Sequence, residues 1–147
     1  MKGAYVLLLR IRRDFSARVG SLGRVHFARG IYAYVGSGRS SLLPRLARHY
    51  AKKKKRHWHI DYLTTSSSVV MVTTIYSHAN SKEIECRLSA RISALPYSEA
   101  VPSFGSSDCK HRCRSHLYLL KSSQKLVTTS ICEAFKKESL VPLKYAV

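Results

Sequence analysis

The chain has 147 residues, with 26 Lys and Arg against 8 Asp and Glu, a formal net charge of +18 at pH 7. That length sustains one domain (1–147) with a sizeable core, and 45% hydrophobic with 10% aromatic residues exclude a largely disordered basic tail. No apolar run approaches the ~18 residues of a membrane span, Val6–Leu9 is too short even for a signal-peptide core, and four cysteines are too few for a secreted disulfide scaffold.

The expectation is therefore a soluble, cytoplasmic protein with no cleavable leader. A surplus of 18 cations repels itself unless a polyanion lies against it, so nucleic acid is the first candidate partner and an anionic membrane surface the second. The carboxylates Asp14, Asp61, Glu83, Glu85, Glu99, Asp108, Glu133 and Glu138 are too scattered to promise a two-metal cluster. Metal chemistry would lean on one of them.

In chain order, Gly3–Arg12 is a dense apolar stretch that predicts a buried central strand. Ala17–Gly20 and Arg24–Phe27 flank Ser21-Leu22-Gly23, a hairpin signal. Gly30–Gly36 predicts a second strand with Tyr32 and Tyr34 on one face and Ile31, Ala33 and Val35 on the other. Ser40 or Ser41 can cap a helix over Leu42–Lys54, with Pro44 in its first turn and a stripe of Leu43, Leu46 and Tyr50. Lys52–Arg56 would close that helix with cations.

His57–Leu63 and Val69–Tyr76 predict further strands. Asn80-Ser81-Lys82-Glu83 has the form of a capping box opening a helix striped by Ile84, Leu88, Ile92 and Leu95. Pro96 and Pro102 bound a loop, Phe104–Ser115 is irregular, and His116–Leu120 and Lys125–Thr129 are strand candidates. Ser130-Ile131-Cys132-Glu133 would cap a short last helix. The expected fold class is mixed α/β (α+β), a small, mainly antiparallel sheet flanked by helices.

The segment with most chemistry is Tyr34-Val35-Gly36 followed by Arg45 and His49, four residues apart on one helix face. With Gly3-Ala4-Tyr5 on the first strand and Glu85 on the second helix, this resembles the GIY-YIG nuclease superfamily. His57–Leu63 (HWHIDYL), Glu85-Cys86 and Phe104–Leu117 are similar to its Uri superfamily endonuclease group. The resemblance spans residues 2–120, leaving 121–147 as a C-terminal extension. Gly30-Ile31-Tyr32 spells the family motif literally, but no turn fits between Tyr32 and Tyr34, so Gly3-Ala4-Tyr5 is the better first half. An extra hairpin over Ala17–Phe27 absorbs the long interval from Tyr5 to Tyr34.

The resemblance implies a metal-dependent endonuclease acting on DNA. Tyr5 would be the general base, its phenol pKa pulled down by metal or cation. Tyr34 would hydrogen-bond the water or the base, Arg45 would hold the scissile phosphate, and His49 would orient the tyrosine or shuttle a proton. Glu85 would ligate a single Mg²⁺ or Mn²⁺, and Gly36 would let phosphate approach the backbone. Arg39, Arg48, Lys52, Lys53, Lys54, Lys55 and Arg56 would track phosphates without base specificity. A one-domain nuclease cutting both strands would act as a homodimer.

Blander readings stand beside these. Tyrosines in strands usually pack, and cations on a helix are usually solvated. Glu83 and Glu85 separate by position, since a capping role explains Glu83 and leaves Glu85 without a local partner. Cys86, Cys109, Cys113 and His116, with His111 as a substitute, have donors for Zn²⁺ but lack a tight C-x2-C pair; disulfides or small buried thiols stay open, and Zn²⁺ is not favoured. His57, His59 and Asp61 would share a strand face able to bind metal, or the strand simply anchors Trp58. A non-catalytic basic nucleic-acid-binding module with a vestigial site is the alternative to an enzyme, and a zinc-stabilised interaction protein is a third reading. A membrane-surface role is disfavoured because the lysine-rich helix lacks a broad apolar face.

Overall fold

The computed structural model describes residues 2–106, 109 and 113–145. The fold is α+β, as expected. Six antiparallel strands form one sheet: β1 (Gly3–Ile11), β4 (Gly30–Gly38), β5 (Val69–His78), β6 (Ser98–Ala100), β7 (Leu117–Leu120) and β8 (Leu143–Lys144), in the order β6-β7-β4-β1-β5-β8. A separate hairpin pairs β2 (Phe15–Arg18) with β3 (Arg24–Phe27). The helices are α1 (Leu42–Tyr50), the short α2 (Asp61–Thr64), α3 (Glu83–Ser93) and α4 (Gln124–Lys137). No helix among the described residues is long and apolar enough to cross a membrane.

β1 is apolar apart from the exposed Arg10 because both its faces are covered. Its even residues, Ala4, Val6 and Leu8, join Ile31, Ala33 and Val35 of β4 beneath α3 and α4. Its odd residues, Tyr5, Leu7 and Leu9, join Tyr32 and Tyr34 beneath α1, α2 and the hairpin. The period-2 alternation read from the sequence is thus the division between two cores. Antiparallel pairing sets Tyr5 opposite Gly36 and Leu7 opposite Tyr34. The two tyrosines therefore lie on one face of adjacent strands.

Several local expectations are corrected. α1 ends at Tyr50, and Ala51 is already extended (φ −72°, ψ 120°), so Lys52–Arg56 form a loop. Two lysines hold that loop down. Lys54 Nζ donates to the Arg48 and His49 carbonyls at the end of α1, and Lys52 Nζ donates to the Ser66 and Val69 carbonyls. The buried stripe of α1 is Leu42, Leu46 and His49, with Leu43 40% exposed, and Ser41 precedes the helix without a side-chain cap.

HWHIDYL is not a strand. The Asp61 carboxylate accepts the His57 and Trp58 N–H groups, which curls the chain into a turn running into α2. No capping box forms before α3, since Ser81 Oγ accepts from the Glu83 N–H while the Glu83 carboxylate turns to Arg87. The segment 125–129 is helical: Ser123 caps α4 by accepting the Leu126 N–H, and Val127, Ile131, Ala134 and Phe135 bury a helical stripe that continues through Ser130–Glu133. α4 therefore fills one of the two cores. Strands β6, within the predicted proline-bounded loop, and β8 were not expected.

Candidate active site and a cysteine-rich metal cluster

A cleft of about 320 Å³ opens over the C-terminal half of β4 and Tyr5 near the start of β1. Tyr5, Tyr34, Arg45 and Glu85, drawn from β1, β4, α1 and α3, all line it. His49 lies behind Tyr5 with 1% exposure, its Nε2 2.7 Å from the Tyr5 hydroxyl. Five residues predicted from the sequence as one constellation are thus brought together.

Burial shifts the titratable groups of the site towards their neutral forms. Burial, with Tyr34 and Glu85 nearby, raises the Tyr5 pKa well above that of an ordinary phenol, and Arg45 opposes the shift. Burial likewise raises Tyr34. The His49 imidazole is pushed down to about 3, chiefly by burial and then by Lys54. Both partners of the Tyr5–His49 bond are therefore neutral, and we assign the phenol as donor to Nε2. His49 Nδ1 has no partner among the described residues. Burial also raises the Glu85 pKa, with a Ser37 hydroxyl donating to its carboxylate at 3.3 Å and Lys82 and Arg45 acting the other way.

Arg45 donates to the Ser37 carbonyl at 2.7 Å, and its guanidinium carbon stands 4.7 Å from the Trp58 ring centre. Arg48 stacks on the same ring at 4.6 Å and forks onto the fully buried Asp61 carboxylate at 2.9 and 3.0 Å. Trp58 is the site residue that the sequence reading undervalued, taking it for a strand anchor. Lys2 and Lys82 were missed too. With Arg39 and Arg45 they line an adjoining cleft of about 470 Å³ at the mouth of the site. Only their flanking places at strand and helix ends hinted at this.

Other predicted roles change. Gly36 lines the cleft and is required by protein packing as well, because a Cβ there would collide with the Tyr5 ring. Arg48, Lys52 and Lys54, predicted to track phosphates, are committed to Asp61, the Lys55 carbonyl and the loop carbonyls described above. Lys53, Lys55 and Arg56 remain exposed, Arg56 lying over Tyr62. His57, His59 and Asp61 make no metal face: Asp61 is neutralised by Arg48, and His59 Nδ1 accepts the Gly105 N–H. Gly105 (φ 70°) passes close under Tyr34, and Gly105, Cys109 and His116 of the 101–116 connection form the far wall of the cleft.

That wall also carries Cys109, Cys113 and His116, which converge with Cys86 of α3. One ligand atom from each lies within 4.8 Å of all the others, a cluster able to hold a metal ion. Its soft donors suit Zn²⁺ better than the Mg²⁺ or Mn²⁺ expected at Glu85. The sequence reading had not favoured zinc here. Asp108 and His111 lie outside the described residues.

The family model described as "Domain of unknown function DUF123" matches residues 4–139. The chain belongs to that family. No curated protein and no solved structure matches the chain.

Proposed function

We propose that this protein is a metal-dependent endonuclease of GIY-YIG type that hydrolyses phosphodiester bonds in DNA. The observation that carries the reading is the convergence of Tyr5, Tyr34, Arg45 and Glu85 on one cleft, with His49 hydrogen-bonded behind Tyr5. A module that only bound nucleic acid would need the cations and not this arrangement. A run of cations at the cleft mouth, Lys2, Arg39 and Lys82, fits an approaching sugar–phosphate backbone.

The residues present fit one hard divalent ion. Glu85 is a single, partly buried carboxylate whose pKa burial raises even with Lys82 and Arg45 nearby, and a hard ion that keeps several waters needs few protein ligands. Mg²⁺ or Mn²⁺ held by Glu85 would supply positive charge against the phosphate oxygens. The rest is the chain's own work. Arg45, aimed by Ser37 and Trp58, places a planar fork of donors where a phosphate enters. Tyr5 would act as general base on water, with its hydroxyl held by neutral His49 Nε2 at 2.7 Å. Because burial raises its phenol pKa, that role requires the added positive charge that an ion at Glu85 would supply beside Arg45. Tyr34, on the same face two residues along β4 from Gly36, hydrogen-bonds the attacking water.

Incubating purified protein with supercoiled plasmid, single strands and branched DNA tests the reading. Cutting with Mg²⁺ or Mn²⁺ that EDTA abolishes is the expected result. Salt-sensitive binding with no cutting on any substrate would leave a basic nucleic-acid-binding module.

A further inference from the structure

Three of the four cysteines, distant in sequence, meet one buried histidine beside the cleft. Cys86 sits on α3, Cys109 and Cys113 on the 101–116 connection, and His116 immediately before β7. Cys132 lies elsewhere, on α4 against the other core. All four donor atoms fall within 4.8 Å of one another. A tetrahedral site with Zn–S bonds of about 2.3 Å spreads its ligands to about 3.8 Å, so modest contraction would complete it.

His116 supplies an independent sign. Its ring is buried, and its Nε2 has no partner among the described residues. Nδ1 faces the Glu85 carboxylate at 3.7 Å, longer than a hydrogen bond but on the side from which a carboxylate can orient a ligating imidazole and leave the other nitrogen for metal. A disulfide explains less. Cys86 and Cys109 share a sulfur–sulfur hydrogen bond at 3.3 Å with no disulfide, and joining them would leave Cys113 and His116 unaccounted for. The connection they hold contains no helix or strand among its described residues after β6, as expected of a segment organised by a ligand cluster.

We propose that Cys86, Cys109, Cys113 and His116 bind one Zn²⁺, which ties the 101–116 connection to α3 and, through His116, holds Glu85 on the cleft wall. The metal half stands by itself; the positioning half rests on the nuclease reading. Three thiolates and a neutral imidazole around Zn²⁺ carry a net charge of −1, tolerable in a chain of +18. Glu85 and Cys86 are sequence neighbours, so one helical turn serves both a soft and a hard ion.

Metal analysis of the purified full chain should give one zinc per molecule. A mercurial titrating the thiols of the wild-type chain should release that zinc in step with three of them, a readout that needs no variant to fold. Cys113→Ser should lose zinc, Cys132→Ser should keep it, and Cys113→His, which restores a ligand, should regain it. Mn²⁺ binding, followed by electron paramagnetic resonance, needs no cutting and should weaken roughly tenfold in Cys113→Ser and recover in Cys113→His. Folded protein without zinc, or zinc retained after the thiols are blocked, overturns the metal half. Unchanged Mn²⁺ affinity in the zinc-free chain, or no Mn²⁺ binding to the zinc-loaded one, overturns the positioning half and leaves the zinc standing.

Discussion

Acidification should unfold this protein through one histidine. His49 is 1% exposed, and burial, helped by Lys54, Arg48 and Arg45, holds its pKa at about 3 against an ordinary 6.5. The sign follows from proton counting. Below pH 6.5 the unfolded chain binds a proton that the native site refuses, so the stability is complete above 6.5 and drains as pH falls towards 3. Each pH unit in that window costs about 1.4 kcal/mol, so the fold should be about 2 kcal/mol weaker at about pH 5 than at about pH 7. His116, also lowered by burial, adds in the same direction, and so only a difference isolates His49. Urea unfolding of wild type and His49→Gln at the two pH values provides it. Wild type should lose about 2 kcal/mol more than the variant. Equal losses would mean that His49 titrates alike in the folded and unfolded chain, so that at about pH 5 it is charged and cannot accept the Tyr5 O–H.

Three further outcomes follow from the packing. Gly36→Ala forces a methyl into the Tyr5 ring, and should cost about 1–3 kcal/mol in thermal melts while moving the phenol away from His49 and suppressing cutting. Asp61→Ala strands the Arg48 fork and two backbone N–H groups; because water reaches the 31%-exposed arginine, about 2–3 kcal/mol is expected in denaturant titration, with Trp58 and Arg45 loosened together. Phe135→Ala empties a fully buried site beneath α4, and a loss of about 3–5 kcal/mol by urea denaturation would show that the segment beyond β7 is core.

What could be read beforehand had a local cause. β1 announced itself as a dense apolar run and β4 through alternation over Gly30–Gly36, a periodicity that already placed Tyr32 and Tyr34 on one face. Glu85 separates from Glu83 by its place at the edge of the Ile84 and Leu88 stripe, although the capping role assigned to Glu83 does not form. The failures came where long-range contacts overrode local pattern. HWHIDYL alternates like a strand, yet Asp61 gathers two backbone N–H groups and Arg48, and no pattern announces a partner 13 residues away. The β-branched run Val127-Thr128-Thr129 suggested a strand, but the stripe continuing to Phe135 outweighs propensity. The lysine run read as a ligand surface because nothing local revealed that Lys52 and Lys54 would reach carbonyls on neighbouring segments. The Cys/His cluster was present as residues, but its spacing matches no knuckle, and only the fold brings Cys86 to the other three.

The central claim is that one cleft both holds a phosphodiester and cuts it. The most direct measurement is plasmid cleavage with Mg²⁺ by wild type, Glu85→Ala and Arg45→Ala, alongside DNA affinity and circular dichroism for each. Metal-dependent cutting lost in both folded variants, with binding largely kept in Glu85→Ala, is the predicted result. Cutting that survives Glu85→Ala at wild-type rate and metal dependence would place the chemistry elsewhere and contradict the account.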